Sequence, residues 1–142
     1  MQQSIQMITG VLKNMGVDPD SSQLPDSNGC GWLIASDSVA MYVLIEETEG
    51  QVLLRLTCPI LYMPAHDLLL PFYRKLLDLN VDLIGVALGM ERDVVCIICK
   101  QYLEGLTPSV AEALLKRTLH TAEVIDDLLV REFPSARYWS PM

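Results

Sequence analysis

The sequence has little positive charge, few aromatic residues, only two histidines and no long apolar run. Ten Lys and Arg stand against eighteen Asp and Glu in 142 residues, a formal net charge of −8 with a pI near 4.5. A surface of that sign repels phosphate backbones and anionic lipid, which argues against nucleic acid and membranes as partners. Its first use is solubility, and it also suits a basic or amphipathic polypeptide. No uninterrupted apolar stretch approaches the ~18 residues of a membrane span. The start, Met1–Gln6, has neither the basic cluster nor the apolar core of an export signal. A cytoplasmic location is therefore expected.

Motifs that carry chemistry are missing too. His66 and His120 have no second histidine or cysteine at metal-ligand spacing. There is no nucleophile elbow and no phosphate loop. Gly29-Cys30-Gly31 opens a short strand, so it reads as a turn and not as a dinucleotide fingerprint. Carboxylates gather at Glu46, Glu47 and Glu49 and again at Glu123, Asp126 and Asp127. Neither set follows a calcium-loop pattern; the first reads as a hairpin tip and the second as a solvated helix face. The four cysteines, Cys30, Cys58, Cys96 and Cys99, are irregularly spaced. Cys96 and Cys99 form a C-x-x-C, but within a strand, where residues three apart point to opposite faces. They read as buried thiols. No catalytic residue, metal or cofactor is expected, and the chain is not read as an enzyme.

Just over half of the residues are apolar (51%), more than one domain of this length needs for its own core. Their periodicity gives eight elements in a single domain, residues 1–142, with residues 134–142 as a tail. A helix spans Gln2–Met15, stopped by Gly16 as a left-handed cap, and a turn-rich loop follows. Strands are predicted at Gly31–Ala35, Val39–Glu46 and Val52–Cys58, with a hairpin loop at Glu47–Gly50 and Pro59 closing the third. A second helix covers Asp67–Leu79 with an apolar stripe of Leu68, Leu69, Phe72, Leu76 and Leu77. Pro71 lies within it and Asn80 stops it. Strands at Asp82–Leu88 and Asp93–Gln101 precede the last helix, which opens on Thr107 as N-cap and Pro108 and runs to about Glu132. Pro134 ends that helix, and the tail carries Tyr138 and Trp139. The order α-β-β-β-α-β-β-α gives an α+β fold with a mostly antiparallel five-stranded sheet.

A sheet covered on one side alternates apolar with polar residues. Val39–Ile45 and Val94–Ile98 are apolar on both faces. Either helices wrap both faces, or one face is left for a partner. In the second case Ala40, Tyr42, Leu44, Val94, Cys96 and Ile98 form a surface for a protein client or a second copy of the chain. A homodimeric holder of polypeptide is expected on that basis. A regulatory or structural adaptor for a folded protein is the alternative, and an unrecognised small-molecule enzyme a third.

The order of elements resembles that of class I type III secretion chaperones and YbjN-like domains. The resemblance runs from about Ile5 to Leu129. It rests on Leu76–Asn80, Ile84–Leu88, Asp93–Ile97 and Leu106-Thr107-Pro108, with Met15-Gly16-Val17 and Gly29–Leu33 near the start. It implies a small acidic cytoplasmic protein that dimerises, has no active site, and holds an extended client segment across apolar grooves and sheet edges.

Overall fold

The computed structural model describes residues 1–133. The expected helix stop at Pro134 and the Tyr138-Trp139 tail lie outside them. Helix α1 (Gln2–Asn14) is followed by a single turn, α2 (Pro19–Ser22), then by strands β1 (Gly31–Ala35), β2 (Ala40–Thr48) and β3 (Gln51–Tyr62). A 3₁₀ turn at His66–Leu68 leads into α3 (Leu69–Asp82). Strands β4 (Ala87–Glu91) and β5 (Val94–Tyr102) and the long helix α4 (Pro108–Glu132) complete the chain. The sheet order is β1-β2-β3-β5-β4, antiparallel throughout.

Local chemistry accounts for the boundaries. Gly16, at φ +81°, ends α1, and the Val17 N–H donates to the Leu12 carbonyl across it. The expected loop after it contains a helical turn, because Asp18 accepts from the Asp20 N–H and Pro19 presets the first φ. The β2–β3 hairpin is tighter than expected: Glu49 (φ +53°) and Gly50 (φ +78°) make a two-residue turn that twists with the strands.

Three other boundaries are corrected. Pro59 does not close β3; it sits inside the strand opposite Cys96, next to a register shift between Pro59 and Leu61. α3 starts at Leu69 and not at Asp67, which puts Pro71 in the first turn, where its missing N–H has no helical partner. Nor does Asn80 stop α3. The helix runs to Asp82, and Gly85, at φ +73°, turns the chain, so β4 starts only at Ala87.

The core lies between one sheet face and the helices. Ile8, Val11 and Leu12 of α1 and Ala111, Leu115, Ala122, Ile125 and Leu129 of α4 pack over it. The sheet side supplies Trp32, Met41, Val43, Ile45, Leu54, Leu56, Ile97 and Cys99. Phe72 and Leu76 attach α3 at the β4 end, with Phe72 edge-on to Phe133. Thr107 caps α4 by accepting from the Val110 N–H, and Lys116 pairs with Glu112 at 2.9 Å.

Candidate functional site

Strand alternation sends a second set of side chains away from the helices. One row crosses the sheet through Leu33, Tyr42, Thr57, Ile98 and Ala87, paired in turn. Leu44 and Arg55 lie to one side of it, and Pro59, Cys96 and Gly89 to the other. Ala40, Tyr42, Leu44, Val94, Cys96 and Ile98 therefore share this face. Tyr42, Leu44, Val94 and Ile98 are half-buried, with no helix over them among the described residues. Ala40 and Cys96 are the exceptions to the expected exposure, at 5% and 2%; their short side chains leave little area above the backbone. At the β1 end, Leu24 and Ser27 fold over the face. A Cβ on Gly31 would come within 2.9 Å of Ser27 and of Leu44.

Polar groups occupy the centre of this apolar face. The Arg55 guanidinium lies between Glu46, at 3.4 Å, and Glu91. Arg55 Nε and the Thr57 hydroxyl are buried without a hydrogen-bond partner among the described residues. They belong to a cavity of about 390 Å³ whose apolar walls are Tyr42, Leu44, Pro59, Val94 and Cys96. On a flat sheet Arg55 and Glu91 would not meet. Arg55 pairs with Lys100, and Glu91 is level with Val94. Those levels are about 20 Å apart along the strands at ~3.3 Å per residue. The sheet therefore curls over this face, and the register shift at Pro59–Leu61 is where β3 bends.

Burial holds the thiols of Cys58, Cys96 and Cys99 neutral. Burial pushes Cys96 up to about 11, with the Arg55 charge pulling the other way. Burial, then the neighbouring Cys96, raises Cys58, and burial raises Cys99 against a Thr118 hydrogen bond. Cys96 lies on the curled face and Cys99 in the core, as the strand period requires. No group of three His, Cys, Asp or Glu among the described residues is placed to hold a metal. His66 and His120 are both exposed. The acidic cluster on α4 is only partly a solvated face: Asp127 is exposed, but Ser36 donates to Glu123 at 2.5 Å and Asp126 is buried.

The largest exposed apolar surface lies elsewhere. Leu70, Leu77, Val81 and Ile84 are 81%, 66%, 83% and 75% exposed, and Tyr73 joins them. At 100° per residue Leu70, Tyr73, Leu77 and Val81 fall on one stripe of α3, opposite Phe72 and Leu76, and Ile84 follows just beyond the helix end. The expected inward stripe is therefore only partly right, since Leu68 and Leu77 face out. A second set at three- and four-residue steps, running from Leu70 to Ile84, was the signal for it. A larger cavity, about 570 Å³ between α1 and the start of α4, is bridged by the Asn14–Glu112 hydrogen bond. No unpaired buried polar group lines it.

No helix among the described residues is long and apolar enough to cross a membrane. The sequence matches no protein-family profile and no curated protein. Among solved structures, a chain of the ExsC–ExsE complex matches with a TM-score of 0.67 and 18% identity, over 90% of this chain and 94% of that one. At that identity the likeness is one of fold, and the shared architecture is the α+β arrangement with a five-stranded antiparallel sheet that the order of elements implied.

Proposed function

We propose that the protein is a non-catalytic, chaperone-like holder of polypeptide that works as a homodimer. A client segment lies across the curled sheet face, over Tyr42, Leu44, Val94, Cys96 and Ile98, with Ala40 at its margin. The observation that carries this reading is that face itself: an apolar sheet surface with no helix above it among the described residues. Covering a few hundred Å² of such surface is worth several kcal/mol at ~25 cal/mol per Å². The recess suits an extended segment better than the flat surface of a folded protein, which favours a holder over an adaptor. The net charge of −8 favours a client that is basic or amphipathic.

The α3 stripe supports the second copy. An α-helix of 14 residues is about 21 Å long, enough to centre an interface of ~800 Å² per partner. Arg74 and Asp78 flank the stripe on one side and pair with each other at 3.2 Å. Two such helices crossing antiparallel about a twofold axis set Arg74 of each copy against Asp78 of the other, so the flank is self-complementary. The ExsC–ExsE structure, of the same architecture, is a complex of two proteins, in keeping with a protein partner here. We place the chain with secretion chaperones and YbjN-like domains, in the cytoplasm, on the same grounds.

Photo-crosslinking tests the holding face. A benzophenone amino acid in place of Tyr42 is expected to capture polypeptide when the protein is expressed in cells. The same group at exposed His120 is not. Equal capture at the two positions would sink the proposal.

A further inference from the structure

The unpaired groups beneath the curl call for an explanation. Thr57 is 5% exposed, its hydroxyl has no partner among the described residues, and Arg55 Nε is in the same state. Buried donors left unpaired are uncommon in native structures and mark strain, an absent ligand, or both. Here both lie in one cavity with a third such atom, Glu91 Oε1, which is buried without a hydrogen-bond partner among the described residues although Glu91 lies against the guanidinium. Glu91 is the last residue of β4, at the tip of the β4–β5 hairpin, where Arg92 takes φ +58°. It is tied to the middle of the sheet by a partly exposed ion pair, the kind of contact that opens at low cost.

We propose that Arg55 and Glu91 form a latch over a subsite for an uncharged peptide carbonyl. When the hairpin tip lifts, the Thr57 hydroxyl and Arg55 Nε–H donate to that carbonyl. Tyr42, Leu44 and Val94 then receive the apolar side chain beside it. The oxygen bound is that of an amide and not of a carboxylate. Glu46 remains beside the guanidinium after Glu91 leaves, so its charge is already matched, and a further anion meets Glu46 across the recess. The latch gives the face a closed state in the absence of client. This inference rests on the holding face proposed above and adds the chemistry that face selects.

The test is an NMR titration of ¹⁵N-labelled protein with N-acetyl-leucine N-methylamide, and separately with N-acetyl-leucine as its carboxylate. The diamide is expected to shift Arg55 Nε–H and the Tyr42, Thr57 and Val94 amides, and to bind at least fivefold tighter than the carboxylate. Thr57→Val keeps the shape and is expected to weaken it about tenfold, the loss of one buried hydrogen bond. Glu91→Gln removes the latch and is expected to strengthen binding severalfold, which a merely structural ion pair would not do. Equal binding of both probes, or Glu91→Gln binding no tighter than the parent, overturns the subsite. Shifts at Tyr42 and Leu44 that ignore both substitutions overturn the subsite and leave the holding face standing. No shift anywhere on the sheet face counts against both.

Discussion

Leu77→Lys isolates the proposed dimer surface. Leu77 lies at the centre of the α3 stripe and exposes two-thirds of its area to water in the single chain. Fully burying a leucine is worth ~1.5–3 kcal/mol, so the exposed part contributes about 1–2 kcal/mol when covered. A twofold axis near this residue counts it twice, so the variant forfeits about 2–4 kcal/mol of association free energy, a 30- to 700-fold weaker dimer. Two lysines facing each other add repulsion in the same direction. The single chain is little affected, because Lys and Leu have similar helix propensity and exposed substitutions stay within about 0.5 kcal/mol. Sedimentation velocity at tens of micromolar reads the result: a dimer for the parent, a monomer for Leu77→Lys, and melting temperatures within a few degrees. A parent that sediments as a monomer, or a variant that stays dimeric, refutes the assignment of α3.

Asn80→Ala tests the edge of the sheet. Asn80 Nδ2 donates to the Leu88 carbonyl at 3.1 Å and its Oδ1 accepts from the Leu88 N–H at 2.7 Å, so one side chain pairs the outer edge of β4 as a strand would. Its loss is expected to cost about 1–2 kcal/mol in denaturant titration and to raise light scattering; an unchanged midpoint would show that the clasp contributes nothing. Cys96, with its thiol raised from 9.0 to about 11, is expected to alkylate ~100-fold more slowly at pH 8 than in the unfolded chain, from ionisation alone. Because the folded value is the higher one, its contribution to stability is complete below about pH 9 and fades as pH rises towards 11. Mass spectrometry of the labelled peptide checks the rate, and equal labelling in folded and unfolded chains would contradict the burial. Thr107→Ala is expected to cost about 1 kcal/mol and lower the melting temperature by about 3–6 °C, with Thr107→Ser restoring most of it.

The first, second and fifth strands were legible because a period of two is hard to counterfeit, whereas the fourth was expected at Asp82–Leu88 and lies at Ala87–Glu91. Gly31–Ala35 was read to the residue, and the division of β2 into Met41, Val43 and Ile45 against Tyr42 and Leu44 follows from alternation alone. Boundaries failed where one residue supports two local structures. Pro59 reads as a stop, yet a strand tolerates proline beside a register shift. Asn80 reads as a helix end, yet it lies within α3 because its amide has the β4 edge to bond. Asp126 reads as surface because it sits among acidic neighbours, and the fold nevertheless turns it inward.

The site was half legible, and the missing half is tertiary. Apolar residues on both faces of β2 and β5 leave two readings open, helices over both faces or one face free for a partner. Pattern gives no measure of curvature. The bend comes from the shift at Pro59–Leu61, and its consequence is a contact between Arg55 and Glu91, on strands that do not neighbour each other. Curvature is what turns a patch into a recess and places Thr57 beneath a latch. On α3 the difficulty is reversed. A helix apolar on opposite sides offers two stripes, and only the position of β4 decides that Phe72 and Leu76 are the buried pair. The chain thus presents a concave sheet face and a convex helix stripe, both apolar and opposite in shape. On the proposed reading, an extended segment occupies the recess and the ridge crosses a second copy, so a dimer built on α3 would leave each sheet face free for client.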